Sequence, residues 1–508
     1  MVEEDHLLGV DVGTTATKVS LFDIKGNTIA SETREYQLVT PSLLEVEVDI
    51  ETLWTSFRKG VRDVLSKSNI NPQTIKTLGI SAQGETLVPL DREGKTLRNA
   101  IVWLDGRAQS EAEMLDRTFN DGKSYGITGQ VKLVPAWPAS KILWIKKHEP
   151  EIFRQVHKYM LVEDYFIWRM TSFFVSEGSL LCSTCYWNIV TKKWWPEMLD
   201  YLGISPDQLP EIREPGEEIG NVLPLVAKEL GLSPNTIVST GALDQACGTI
   251  GAGNIRPGIF TENIGAALAI CATVEKPIFD KKRRMPLFYH GIPDTYMAHS
   301  FNTGGIALRW FRDSFCEAEM NKARSENVSP YQVIDREVSQ VQPGSEGMTM
   351  LPHLQGAMIP ESNPRAKGAF FGFTLRHSRA HFARSVMEAI ACTIRNAIDI
   401  LEDMGITVTE MRAIGGGARS DVWNQIVADI THRPVFTTVH DEDAACLGAA
   451  ILAGKAAGLF KGLEEAVLDM VKIKREFEPD PNTYEIYDGL YSRYNRLYDS
   501  LLGLYETT

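Results

Sequence analysis

The pattern that most constrains the fold occurs twice. LLGVDV at 7–12 and KVSLFD at 18–23 read as short apolar strands joined by GTTAT. Far along the chain, IFTENIGAALAICATV at 259–274 repeats the arrangement, with its turn at Gly265. After the first hairpin, DIKGN at 23–27 is a turn and TIASETREYQL a third strand. IETLWTSFRKGVRDVL at 50–65 spaces its apolar residues by three and four, which marks an amphipathic helix. KTLGISAQG at 76–84 follows as a strand, and the order βββαβ opens an α/β domain. A repeated opening implies two such domains, and 508 residues are enough for both. The Gly/Pro cluster GNIRPG at 253–258 is read as boundary and hinge, dividing the chain into 1–254 and 255–508.

The first hairpin has chemistry to offer. Asp11 ends its first strand, within reach of a hydrated Mg²⁺. Gly13 admits close backbone approach, and Thr14 and Thr15 supply hydroxyls and amides of the kind that suit phosphate. Lys18 adds a point charge. No GK[ST] follows, so this is not a Walker A loop. No helix opens there, so it is not a dinucleotide fingerprint. A plain tight hairpin is the competing reading.

TIVSTGALDQACGTIGAG at 236–253 reads as strand, turn and helix. Asp244 falls at the turn, where the helix dipole favours the ionised form. It is either a helix cap or a general base. TGGIALRWFRD at 303–313 puts a glycine pair before a helix. AIGGGARSDVWNQIVADIT at 413–431 reads as strand, triple glycine and helix, a place for nucleotide phosphate or a tight connection.

Composition narrows the class. Lys and Arg number 52 against 66 Asp and Glu, a net charge of −14, which speaks against nucleic acid. No run approaches the ~18 apolar residues of a membrane span. MVEEDH lacks the basic and apolar regions of a signal peptide. Seven cysteines fit a reducing, cytoplasmic setting, with Cys182 and Cys185 as buried, inert thiols.

Together, DVGTTATK at 11–18, VWLDGR at 102–107, ALDQACGTIGAGNIRPG at 242–258 and GGIALRWFRD at 304–313 resemble the FGGY carbohydrate kinases. So do GAFFGFTLRHSRAHFARSVMEAI at 368–390, GGGARSDVWNQIVADI at 415–430 and DEDAACLGAAILAG at 441–454. The resemblance implies two ribonuclease-H-like domains of the actin-like ATPase type with a cleft between them. Sugar would lie on the first domain and ATP on the second. It implies Asp11 for Mg²⁺, Thr14 and Thr15 for the transferring phosphate, and Asp244 as base toward the sugar hydroxyl. Gly265 matches the second phosphate loop. Gly305 and Arg309 match a nucleotide-facing segment, and Gly416 and Gly417 the loop for adenosine and α-phosphate. Homodimers are common in the family.

Two departures matter. The second phosphate loop usually reads Gly-Thr-Ser or Gly-Thr-Thr and here is Gly265-Ala266-Ala267, without hydroxyls. The sugar loop is Gln83-Gly84-Glu85-Thr86, against Gln-Met-His in D-xylulose kinases and Gln-Arg-Glu-Thr in glycerol kinases. Gly84 is expected to open space and Glu85 to accept from sugar hydroxyls, or else to be a solvated charge. Gln83, Asp105 and Arg107 are expected along the same cleft, the last two with a surface ion pair as the alternative. The expectation is an ATP- and Mg²⁺-dependent kinase of a small ketose, above all a pentulose. A polyol kinase for erythritol or glycerol is the alternative within the class; a non-catalytic sensor or an actin-like ATPase lies outside it. His377 and His381 are expected off a common face and not to bind metal. YFIWRMTSFF at 165–174 is expected in the core, and the tail Tyr484–Tyr505 as a closing helix.

Overall fold

The computed structural model describes residues 4–119 and 122–507, so Met1–Glu3 of the acidic start lie outside the described residues. The first meander forms as β1 (His6–Val12), β2 (Ala16–Asp23) and β3 (Thr28–Glu35). Helix α1 (Ile50–Ser68) starts at Asp49, whose side chain accepts from the Glu51 N–H, and it buries Leu53, Trp54, Phe57, Val61 and Val64. Then come β4 (Ile75–Ala82), β5 (Ile237–Ser239) and α2 (Asp244–Gly251).

The second half repeats the scheme with β6 (Gly258–Ile264), β7 (Ala267–Val274), β8 (Tyr296–Thr303) and α3 (Ile306–Phe315). Next are α4 (Arg379–Asp403), β9 (Val408–Ile414), α5 (Asp421–Thr431) and β10 (Val435–Thr438). The chain closes with α6 (Ala444–Ala456) and α7 (Tyr484–Tyr505).

The two sheets share one strand order. In the first it is β3-β2-β1-β4-β5, antiparallel through the meander and parallel from β1 onward. In the second, β8-β7-β6-β9-β10 repeats that order and those directions. The duplication read from two glycine hairpins is thus a duplication of topology. The expected boundary at 254/255 falls between α2 and β6. The segment there is well anchored: buried Asn254 donates to Thr261 Oγ1 at 2.9 Å and accepts from Thr273 Oγ1 at 2.8 Å.

The halves are not closed separately. Helix α6, from the second half of the chain, lies against β1 and β4 of the first sheet and also against α2. Gly9 and Gly79 stand opposite each other in the parallel β1/β4 register. A Cβ on Gly9 would overlap the Cys446 carbonyl oxygen, and one on Gly79 that of Ala449. Glycine there is a requirement of backbone approaching backbone. The aromatic run at 165–174 is largely core: Phe166 packs edge-on against Trp54 and Phe57. The tail is one helix with Tyr487, Leu490, Tyr494, Tyr498 and Tyr505 on its buried face. Helix α4 begins after Ser378 as expected, but the rings of His377 and His381 meet at 5.3 Å. The His377 ring folds back onto the Thr374 N–H, which brings it beside His381.

Candidate active site

Three strands bring the acidic residues together. Asp11 ends β1 opposite Ser81 of β4, and Ser81 lies opposite Ala242, two residues before Asp244. Ser81 Oγ donates to Asp11 Oδ1 at 2.8 Å. Asp244 then opens α2, its Oδ1 accepting the Gln245 N–H at 2.6 Å. Glu85 sits on the loop after β4 at φ 60°, near Ser183.

Glu85 and Asp244 face a cavity of about 360 Å³ between the first sheet and the β6–β8 side of the second, whose lining does not include Asp11 or Ser81. Its floor carries Thr14, Gln83, Gly84, Glu85, Asp244 and Gln245, and its far wall Asn263, Gly265, Ala267, Ala269, Phe288, His299 and Phe301. Trp103 and Trp137 close the side. Among the described residues that line it, none is Lys or Arg.

Burial sets the electrostatics. It raises Asp244 to about 8, and the neighbouring charges of Asp11 and Glu85 add to the effect; the Gln245 N–H opposes it. The expectation that the helix end would favour ionised Asp244 is therefore overturned in the ligand-free protein. One N–H does not offset desolvation and two other carboxylates. Asp11 and Glu85 are raised too, chiefly by burial, against the help of Ser81 and Lys18 for the first and of Ser183 and Lys141 for the second.

Stability should follow these shifts. A carboxyl that binds its proton more tightly folded than unfolded stabilises the fold most at low pH. For Asp244 the stabilisation is lost as pH climbs from about 4 to about 8. The ligand-free thermal midpoint should fall between pH 5 and pH 8, and Asp244→Asn should narrow that fall. An equal fall in both proteins would contradict the assignment.

Several expected residues do other work. Gln83 is buried; its amide donates to the Gly13 carbonyl at 3.0 Å and its Oε1 accepts from Thr86 at 3.1 Å. It braces the first glycine turn, as does the Tyr36 hydroxyl, which donates to the same carbonyl. Thr14 Oγ1 accepts from Trp103 Nε1 at 2.8 Å, whereas Thr15 is exposed at the turn.

Lys18 pairs with Asp443 and donates to the Glu442 carbonyl, tying the first hairpin to the start of α6. Asp105 and Arg107 do not line the cavity. They form a buried bidentate pair that also takes in Glu47, and the Arg107 guanidinium lies over Trp144. The pair shapes the loop that presents Trp103.

Gly84 does not open space. A Cβ there would come within 2.7 Å of Leu243 Cδ1, so glycine lets Leu243 pack beside Asp244. Gly305 donates its N–H to the Gly265 carbonyl at 2.9 Å, which clamps the second glycine turn to the start of α3. Arg309 is exposed on that helix. Gly417 is pressed against Ile264, 2.6 Å from where its Cβ would be, while Gly416 faces outward.

Trp137, Lys141, Asn263 and His299 escaped sequence reasoning. Lys141 is fully buried and donates to the carbonyls of Glu85 at 2.7 Å and Ile101 at 3.2 Å. Burial pushes its amine down while Glu85 and Asp105 hold it up. A lysine inside an otherwise apolar helix stretch, AWPASKILWI, was the available signal. His299 had none, since a histidine within a strand reads as ordinary.

Among the described residues no three acidic, His or Cys side chains cluster as a metal site. The acidic pair Asp11 and Asp244 nevertheless fits Mg²⁺. That ion takes oxygen ligands, needs only one or two carboxylates, and would relieve their mutual repulsion.

Paired meander sheets with two glycine turns aimed at one acid-lined cleft define a phosphotransferase of the actin/hexokinase ATPase type. The N-terminal domain of the FGGY family of carbohydrate kinases matches residues 6–251 and its C-terminal domain residues 270–457. The chain belongs to this family and is an ATP-dependent sugar kinase. It is 30% identical over 504 residues to a xylulose kinase of Staphylococcus epidermidis, covering 98% of this chain and 97% of that one. It is 31% identical over 470 residues to a gluconokinase of Bacillus subtilis, covering 92% and 90%. The crystal structure of a ligand-bound xylulose kinase from Lactobacillus acidophilus superposes with a TM-score of 0.90 at 27% identity, covering 99% of each chain.

Proposed function

We propose that the protein transfers the γ-phosphate of ATP to a hydroxyl of a small, neutral ketose, a pentulose above all. The observation that carries this reading is a cavity with Glu85 and Asp244 on one wall and no cationic side chain among its described lining residues. A sugar acid would bring a further carboxylate to that wall without a counter-charge. A neutral sugar offers hydroxyl donors to it. The similarity to xylulose kinases agrees with this choice; the similarity to a gluconokinase is of the same size, so the choice against a sugar acid rests on the cavity lining.

In this reading the unit up to residue 254 carries the sugar and the unit from 255 the nucleotide. Asp244 takes the proton of the attacking hydroxyl. Its proton affinity must drop once ligand is present, and Mg²⁺ near Asp11 would neutralise charge on the phosphates when bound. The amides of Thr14 and Thr15 and of the Gly265 turn face phosphate; Gly305 holds that turn, and Gly416 lies at the outer glycine loop. Backbone amides then do what the two missing hydroxyls at Ala266 and Ala267 do elsewhere. All seven cysteines are free and buried, in keeping with a cytoplasmic enzyme.

The test is ADP release with D-xylulose, D-ribulose, glycerol, erythritol and D-gluconate. A pentulose is expected to raise turnover well above the rate with water alone, and D-gluconate to leave it near that rate. Preference for D-gluconate, or no response to any sugar, would refute the proposal. Preference for erythritol or glycerol would move it to polyols.

A further inference from the structure

Buried polar groups that the phosphoryl transfer does not use surround the strand that carries Asp244. That strand is short, Ala242–Leu243, and pairs with Ser81 and Ala82 of β4. No other strand among the described residues pairs with it. Side chains take its backbone N–H groups instead. Glu163, on the helix Val162–Thr171, accepts the Gly241 N–H through Oε1 at 2.8 Å. Ser179, on the short helix Gly178–Leu181, accepts the Leu243 N–H through Oγ at 2.8 Å. Both side chains are buried. A buried N–H needs a partner, and these two stand where a further strand would otherwise supply one.

Glu177 fixes the Ser179 hydroxyl. A backbone N–H only donates, so Ser179 Oγ accepts from Leu243 and sends its own hydrogen to Glu177 Oε1, 2.6 Å away. Glu177 also accepts the Ser179 N–H at 2.7 Å and the Leu180 N–H at 2.9 Å. The hydroxyl is thereby held in one orientation. Glu163 differs, since its Oε2 has no hydrogen-bond partner among the described residues. Burial and the nearby charges of Glu177 and Asp164 push Glu163 toward its neutral form, against the Gly241 N–H. A neutral carboxyl still offers Oε1 as an acceptor.

Little else aims Asp244. Among the described residues, its carboxyl finds its donors only on the next residue, Gln245. The backbone from Gly241 to Leu243 therefore sets where the carboxyl points. That backbone is confined on the β4 side too: a Cβ on Gly241 would overlap the Ile80 carbonyl oxygen. Catalytic geometry is sensitive on this scale, where a misplacement of ~1 Å can cost about 10²-fold in rate.

We propose that Ser179 and Glu163 are positioning residues for the general base: through the N–H groups of Leu243 and Gly241 they hold the strand that aims Asp244 at the attacking hydroxyl. Glu177 acts one step further back, by orienting Ser179. This rests on Asp244 being the base and names what keeps it in place. None of the three lines the cavity, so they work through Asp244 and not on the sugar.

The experiment measures kcat for ADP release at saturating ATP and sugar. The sugar is the fastest of D-xylulose, D-ribulose, glycerol, erythritol and D-gluconate. Ser179→Ala should lose about 10- to 100-fold in kcat, with KM for ATP within about twofold of wild type. Ser179→Cys keeps a weak acceptor and should fall between the two. Glu163→Leu should lose on the same scale, and Glu163→Gln, which retains the Oε1 acceptor, should recover most of that loss. The deciding measurement is made on top of Asp244→Asn. With no base left to aim, adding Ser179→Ala should change the residual single-turnover rate by less than about twofold. A merely structural defect would carry its full loss into that background.

An unchanged kcat in both Ser179→Ala and Glu163→Leu, or the same loss with and without Asp244, would overturn the inference. Should Ser179→Ala not fold, Ser179→Cys takes its place, and no loss or an equal loss in both backgrounds overturns it as well. A wild type unresponsive to every sugar, or normal turnover in Asp244→Asn alone, would instead sink the sugar-kinase or the base reading beneath it.

Discussion

Asp244→Asn is expected to lower kcat by about 10²- to 10⁴-fold, the range for loss of a general base, with nucleotide binding kept within a few-fold. The side chain has one task that Asn cannot do. In the proposed mechanism it takes a proton from a sugar hydroxyl, and it is one of two carboxylates among the described residues lining the cavity. Asn keeps the shape and the contact with the Gln245 N–H. It removes a carboxyl that burial, Asp11 and Glu85 already make reluctant to ionise. The variant should therefore be nearly inactive and, near pH 8, more stable than wild type. This combination separates lost chemistry from lost fold. Single-turnover rates and calorimetric titration of ATP measure the two effects. Normal turnover in Asp244→Asn would require another base, and a parallel collapse of ATP affinity would make Asp244 a structural residue.

What could be read from the sequence divides by range. The hairpins at 7–23 and 259–274, the helix at 50–65 and the closing helix from Tyr484 carry their signals in local spacing, and the structure has each of them. Asp244 at a strand-to-helix turn was legible for the same reason.

Residues whose role depends on distant partners were not legible. Lys18 is close in sequence to the first glycine turn, yet its partner Asp443 comes from the other end of the chain. Asp105 and Arg107 look like cleft residues until Glu47 and Trp144 arrive to occupy them. Gly84 reads as empty space until Leu243 fills it. His299 reads as an ordinary strand residue until the pleat of β8 sets it on the same face as Phe301 and Ala269 beside the cavity. The charge of a site is equally non-local. A helix end argues for ionised Asp244, and only the assembled cleft supplies the desolvation and the two carboxylates that outweigh it.

The largest stability effect is expected from Gly9→Ala. Gly9 is next to nothing chemical, but its Cα faces the backbone of α6 across the first sheet. A methyl there overlaps the Cys446 carbonyl oxygen, and neither partner is a side chain that can swing away. Gly79, beside it in the register, shuts off a sideways escape because it is clamped against Ala449. The helix must therefore lift from β1 and β4. Extra methylenes in a packed core commonly cost 1–3 kcal/mol; a backbone clash should exceed about 3 kcal/mol. The damage would reach the site, because α6 also packs on α2, the helix that starts at Asp244, and begins beside Asp443, the partner of Lys18. Gly126→Ala is the matched control: it adds the same methyl inside the helix Lys123–Thr128, with nothing within 4 Å of it. It should be neutral or stabilising by up to about 1 kcal/mol, as alanine favours helix over glycine. Thermal unfolding of both variants, followed with ADP-release rates at 20 °C below each midpoint, checks this. A Gly9→Ala protein that melts with wild type and turns over normally would mean that α6 is not seated on the first sheet, and the coupling of the two halves through that helix would have to be abandoned.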